Sequence, residues 1–273
     1  MRIGVFDSGI GGLTVLGSFL RHFPHHDYKY WGDTSHIPYG NKTRAELQNL
    51  ASLNAQAIKK LNLDLLIVAC TTMSSNAMEL FEQILFPVPV IGTIHPVIDW
   101  LNKNPCSENL LLFATQRTID SGFFVKTLRE KLVQKTQILV QACPTLVPLI
   151  EQGETTPASV APYVAPFLKT LPGIIILGCT HFPWARPHFE SLLPHWTYLP
   201  VATAIVDAAI PFFIRTQVRP HSGSLEWLFT DPTRMSPFGH KMIAELQNIH
   251  TLSQKTHTKS SETSFFTRKA APL

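Results

Sequence analysis

Four short apolar runs recur along the chain, and each stops at a small or polar residue. They are Ile3-Gly4-Val5-Phe6 before Asp7, Leu65-Leu66-Ile67-Val68 before Ala69-Cys70, Leu110-Leu111-Leu112-Phe113 before Ala114-Thr115, and Ile174-Ile175-Ile176-Leu177 before Gly178-Cys179. Runs of this length without polar alternation read as strands buried on both faces, as in parallel sheets covered by helices. Helical spacing fills the longer segments between them. One helix is expected over residues 13–22, closed by Pro24, and another from Thr43 to about Leu61, where Thr43 and Glu46 are spaced as a capping box. Shorter strands are expected at 28–31, 88–92, 137–140 and 223–231, and helices after Thr72, up to Lys103, over 202–214 and from Ser236-Pro237 to about Ile249. Residues 93–96 read as a loop where the chain crosses between domains. Strands alternating with helices indicate the α/β class.

The pattern also repeats. The third and fourth apolar runs echo the first and second, and the spacing is kept: Phe6 to Cys70 spans 64 residues, Phe113 to Cys179 spans 66. The repeat suggests an internal duplication, with two doubly wound domains, parallel-type sheets and a cleft between them. The expected division is 1–94 plus 207–249 for the first domain and 95–206 for the second, with a disordered basic tail at 250–273.

Composition narrows the class of function. The 273 residues are 45% hydrophobic, ample for a sizeable core. A formal charge of +4 is too small and scattered for a nucleic-acid face, so no nucleic-acid partner is expected. No run reaches the length of a membrane span, and the first residues enter a strand without a basic leader; a cytoplasmic protein with no membrane partner is expected. Cys70, Cys106, Cys143 and Cys179 show no CxxC or zinc spacing, so the thiols are read as free and no metal is expected. A site uniting His95, His181 and the cysteines has no support in spacing.

Candidate chemistry collects at the strand ends, where open α/β sheets bind ligands. Asp7-Ser8-Gly9-Ile10-Gly11-Gly12 is glycine-rich but matches neither the dinucleotide fingerprint nor the P-loop, and Asp7 would repel a phosphate. Aspartate there suits a ligand ammonium or the tuning of a neighbouring acid, or simply caps the next helix. Cys143 reads as packing. Cys70 and Cys179, one per half, suit a different use: two thiols facing a carbon stereocentre from opposite sides, one removing a proton and the other delivering one. A thiol, with an ordinary pKa of ~8.5, serves acid/base work near neutrality better than a hydroxyl. Hydroxyls and amides at Ser8, Thr72, Thr115 and Thr180 are candidate donors to the developing charge, and Asp7 and His181 could tune the thiols.

Taken together, Asp7–Leu13, Gly32-Asp33-Thr34, Pro38-Tyr39-Gly40, Ala69-Cys70-Thr71-Thr72, Ala114-Thr115 with Thr118, and Leu177–Pro183 resemble the glutamate racemases of the aspartate/glutamate racemase superfamily, in order over roughly residues 3–210. The resemblance implies a pseudo-twofold pair of α/β domains with the substrate between them, and cofactor-independent interconversion of L- and D-glutamate for peptidoglycan, with a small-molecule amino acid as the partner; a homodimer is compatible with it. Carried over by motif, Cys70 and Cys179 are the acid/base thiols with Asp7 and His181 as catalytic neighbours. Asp7, Ser8, Tyr39, Gly40, Thr71, Thr72, Thr115, Thr180 and His181 contact substrate, and Asp33 and Glu151 stand close behind. Three departures are visible: Thr71 where the family usually has Asn, Ser35-His36 after Gly32-Asp33-Thr34, and no aspartate near Pro200-Val201-Ala202. Thr71 lacks the amide's second donor, so a racemase for aspartate or another amino acid, and a non-catalytic amino-acid binder, remain competing readings.

Overall fold

The computed structural model describes residues 1–105, 109–214 and 223–257. Its strands are β1 (Arg2–Asp7), β2 (Asp27–Gly32), β3 (Leu65–Val68), β4 (Val90–Ile91), β5 (Asn109–Ala114), β6 (Gln137–Ala142), β7 (Ile174–Leu177), β8 (Thr197–Tyr198) and β9 (Leu225–Phe229). They form two sheets, ordered β4-β3-β1-β2-β9 and β6-β5-β7-β8, and every pairing is parallel. Read in reverse, the second sheet is β8-β7-β5-β6, which superposes in order on β4-β3-β1-β2. The duplication seen in the sequence is therefore a duplication of topology, with β9 added to the first half.

The apolar runs become the strands wrapped on both sides. β3, β5 and β7 are buried throughout, and β1 is buried after Arg2. Alternate side chains feed opposite layers, as the strand's period of two requires. In the first sheet Ile3, Val5, Leu65 and Ile67 face the helices Leu13–His22 and Val201–Ile214, whereas Phe6, Leu66 and Val68 face Arg44–Lys59 and Met78–Leu85. In the second sheet Leu111, Phe113 and Ile175 face Leu146–Gln152 and Arg186–Leu192, and Leu110, Leu112 and Ile176 face Ile94–Lys103 and Phe123–Lys131. Each such buried side chain contributes roughly 1.5–3 kcal/mol, so the four layers hold the strand ends in place.

Register carries the site. Phe6 pairs with Val68 and Phe113 with Leu177, so Cys70 and Cys179 each follow two residues beyond the partner of a matched phenylalanine. The helix Arg44–Lys59 opens with the expected capping box, Thr43 and Glu46 each accepting from the other's backbone N–H.

Two expectations need correction. Residues 93–96 are not a loop: a helix begins at Ile94 with Thr93 as its N-cap, and Pro96 falls in the first turn, where a missing N–H costs nothing. Residues 250–257 are not a disordered tail, because the last helix runs Pro237–His257; Leu246 and His250 tie it back, the first into the core and the second through Nε2 to the Gly223 carbonyl. The remainder of the expected tail, and Cys106, lie outside the described residues. The helix Val201–Ile214 serves both halves, with Ala204 in the second sheet's core and Ile205, Val206, Ala209 and Phe213 in the first's.

Candidate active site

The carboxyl ends of the two sheets meet across a cavity of about 420 Å³. The first half contributes Ser8, Tyr39, Gly40, Cys70, Thr71 and Thr72 to its wall, and the second contributes Thr115, Cys143, Glu151, Cys179, Thr180 and His181. A second depression of about 460 Å³, between the helix Phe123–Lys131 and β6, contains none of these residues.

Each thiol sits at a strand-to-helix elbow. Cys70 is the N-cap of the short helix Thr71–Ser74, and Cys179 precedes the turn Phe182–Ala185. Both are nearly buried, at 4% and 8% exposure, and neither is in a disulfide. Cys70 donates to Ser8 Oγ at 3.7 Å. Burial first, and then the neighbouring Asp7 charge, push the Cys70 thiol up to about 12, against the Met73 N–H and Ser8. At neutral pH it is a loaded acid.

Cys179 has a different companion. Its Sγ lies 4.0 Å from His181 Nδ1, and His181 Nε2 lies 2.7 Å from Glu151 Oε1. Burial by itself lowers the imidazole's affinity for a proton, but the hydrogen bonds and charges of Cys179 and Glu151 outweigh it and raise His181 to about 10. The second half therefore holds a buried, carboxylate-paired imidazolium beside its sulfur.

Asp7 is wholly buried and lies behind the cavity wall rather than on it. It does not cap the following helix, whose N-cap is Gly12 with no side-chain bond. Its carboxylate accepts instead from the Gly9 N–H at 3.0 Å and from the Thr180 hydroxyl at 3.1 Å. Burial raises its pKa, opposed by the His181 charge and by these donors together with the Gly12 N–H. Asp7 thus reaches the cavity through Gly9 and Thr180. Asp33 is also set back. It accepts from Tyr39 Oη at 2.5 Å, Asn54 Nδ2 at 3.0 Å and Thr230 Oγ1 at 2.9 Å, and His36 Nδ1 lies 2.7 Å away. Burial pulls upward on its carboxyl, but these hydrogen bonds prevail and hold it below the usual carboxylate range. Its effect is to fix the tyrosine that lines the cavity.

The halves are stitched together on either side of the sulfurs. Thr72, Thr115 and Thr118 form a triangle of hydroxyls, with edges of 2.9, 2.9 and 3.3 Å. Opposite it, Thr14 Oγ1 donates to the Thr180 carbonyl at 3.0 Å beside the Thr180–Asp7 bond. The approach there is close enough to demand glycine: a Cβ on Gly11 would stand 2.2 Å from Thr180 Oγ1 and 2.4 Å from His181 Nδ1.

Sequence reasoning missed several wall residues. Cys143 was read as packing and is packed, at 1% exposure in the second sheet's core, yet it also lines the cavity. Gln116 follows Thr115 and inherits its place. Arg234 and Ser236 arrive on the segment after β9, which folds back beside β2 far from any motif, and nothing local in the sequence announces them.

A model of the Asp/Glu/Hydantoin racemase family matches residues 18–209. The chain belongs to this family. Among its relatives, the glutamate racemase of Sulfurihydrogenibium sp. is 36% identical over 212 residues, covering 76% of this chain and 81% of that one. The glutamate racemase of Aquifex aeolicus is 33% identical over 234 residues, covering 85% and 89%. Among solved structures, the glutamate racemase of Francisella tularensis in complex with D-glutamate aligns with a TM-score of 0.81 at 26% identity, covering 89% of this chain and 93% of that one. Family membership accounts for the paired sheets and the cleft. In this member, the residue after Cys70 is Thr71, which is buried and lines the cavity.

Proposed function

We propose that the chain interconverts L- and D-glutamate by proton transfer at Cα between Cys70 and Cys179. The observation that carries this reading is the placement of the two thiols, at equal register offsets in duplicated sheets, on opposing halves of one cavity. The glutamate racemases among its relatives supply the substrate class.

In the proposed reaction the amino acid lies with Cα between the sulfurs. A thiolate takes the Cα proton from one face, so that the C–H bond breaks, an S–H bond forms and the electron pair spreads into the carboxylate. The opposite thiol then gives its proton to the other face and is left as the thiolate. The stereocentre inverts and the two sulfurs exchange protonation states. No redox cofactor enters this balance. A carbon acid beside a carboxylate is far weaker than a thiol, and each unit of mismatch is worth about 1.4 kcal/mol, so developing charge must be stabilised. Ser8 accepts from Cys70 and keeps its own hydrogen for the ligand, while the Thr180 hydroxyl donates to Asp7 and those of Thr72 and Thr115 bond to each other. Asp7 and His181 bias the two sulfurs differently. The product would serve peptidoglycan synthesis in the cytoplasm.

Solvent deuterium exchange at Cα, screened over both enantiomers of glutamate, aspartate and neutral amino acids, tests this reading. Deuterium entering both glutamate enantiomers supports it. Exchange into aspartate alone would transfer the same mechanism to a shorter substrate and overturn the assignment of glutamate. Binding of glutamate without exchange would make the chain a binder and overturn the proposal.

A further inference from the structure

The charged side chains on the cavity wall are Glu151, His181 and Arg234. Glu151 and His181 are paired with each other at 2.7 Å and cancel. Arg234 is different. It reaches the cavity from outside the duplicated halves, on the turn after β9. That turn is clasped to residues 33–35: Thr34 Oγ1 donates to the Asp231 carbonyl at 2.6 Å, the Asp231 N–H returns to Thr34 Oγ1 at 3.0 Å, and the Ser35 N–H donates to Thr230 Oγ1 at 2.9 Å. Arg234 Nη1 then donates to the Ser35 carbonyl at 2.5 Å. The guanidinium is thus held by one of its nitrogens. Among the described residues no carboxylate lies within ion-pair distance of it. An arginine carries five N–H donors in a planar fork that matches a carboxylate, and the rest of this fork remains available.

Elsewhere, among the described residues, the wall offers hydroxyls and amides but no second unpaired cation. A ligand with two carboxylates needs compensation for both, and neutral donors serve the one at Cα. We propose that Arg234 is the specificity-determining residue that engages the side-chain carboxylate of an acidic amino acid at the cavity mouth, and so favours acidic over neutral substrates. The inference rests on reading the cavity as an amino-acid site. It also gives a role to Ser35, whose carbonyl anchors the fork. Because Arg234 is exposed, its contribution is modest and sensitive to salt: the screening length is about 10 Å at 0.1 M and about 3 Å at 1 M.

The test uses the full chain and its R234Q and R234K variants. It follows KM and kcat for glutamate at low and high salt, and the affinity for glutarate, a dicarboxylate with no stereocentre, against glutaramide, its uncharged counterpart. At low salt, R234Q raises KM for glutamate and Kd for glutarate about 3- to 10-fold, the worth of one exposed charge-assisted contact. The loss falls on KM rather than kcat, glutaramide is unaffected, and the difference narrows at high salt. R234K recovers most of the loss, since the charge is restored. Unchanged glutarate affinity and salt dependence in R234Q would overturn the inference, as would a loss carried by kcat or shared equally by glutaramide. If the parent protein exchanges deuterium into no amino acid, the functional reading fails and the glutarate comparison still decides the role of Arg234.

Discussion

Cys70 and Cys179 occupy equivalent places in two halves of one design, yet their surroundings are not equivalent. The residue two past Cys70 is Thr72, whereas the residue two past Cys179 is His181. At the end of β1 stands Asp7, and at the matched end of β5 stands Ala114. The first sulfur therefore faces a hydroxyl and a buried carboxyl, which burial and charge combine to keep protonated, while the second faces an imidazolium backed by Glu151. Duplication supplied symmetric geometry, and substitution at two positions made the electrostatics asymmetric. A resting state with the proton on Cys70 and a cation at His181 beside the second sulfur is what this arrangement favours.

The largest expected effect removes the symmetry itself. Cys70→Ser and Cys179→Ser should each cost racemisation about 10²–10⁴-fold or more, with thermal unfolding and circular dichroism like the parent's. Racemisation at the parental rate in both would break the account.

Next comes the asymmetry. His181→Gln should cost about 10²-fold in kcat/KM, while Thr72→Val, at the matched position, should cost less than about 10-fold. Enantiomers have equal free energy, so kcat/KM in the two directions must stay equal in every variant. The bias therefore shows in the ratio of kcat values, which should move in His181→Gln and stay near the parent's in Thr72→Val. Steady-state rates from each enantiomer provide the check.

A smaller effect tests the contact between the halves. Gly11→Ala drives a methyl into Thr180 and His181 and should cost about 10-fold in activity and about 1–3 kcal/mol in stability. Gly40→Ala meets Thr115 Cβ at 3.3 Å, a contact that small adjustments relieve, and should be milder on both counts. Equal losses would show that the Gly11 side of the cleft is not specially constrained.

The smallest is a dependence on pH. His181 holds its proton to about 10 in the folded state, against an ordinary 6.5. Its stabilisation is therefore full below about 6.5 and is lost as pH rises through about 10, because the unfolded chain releases the proton first. Cys70 and Cys143, both raised from an ordinary 9.0, begin to subtract only above that value. Between pH 7 and 8.5 the parent should lose stability faster than His181→Gln in denaturant titrations; parallel slopes would remove the imidazolium from the account.

The strands were legible because β1, β3, β5 and β7 are covered on both faces and so are apolar at every position, and because the two halves repeat the same order. The thiols, Ser8, Thr115 and Thr180 were legible as the residues ending those strands. The first turn at Ile94 was not, since a proline there resembles a loop. The setback of Asp7 behind the wall was also hidden, because it depends on which way the carboxylate turns, and that is decided by Gly9 and Thr180; so was the place of Glu151, expected behind the wall and found on it. Arg234 was invisible because its position comes from β9 pairing with β2 and from the clasp at Thr34, contacts about 197 residues apart in the chain.

The most direct test of two opposed and unequal thiols is the early time course in deuterium oxide, started separately from L- and D-glutamate and followed by mass spectrometry and chiral separation. The account predicts that the product enantiomer carries one deuterium at Cα from the first turnovers in both directions, while the remaining substrate stays unlabelled, because the base that removes the proton is not the acid that delivers its replacement. Product that retains the substrate's own proton, or label appearing equally early in recovered substrate, would mean that one group serves both faces, and would contradict the account.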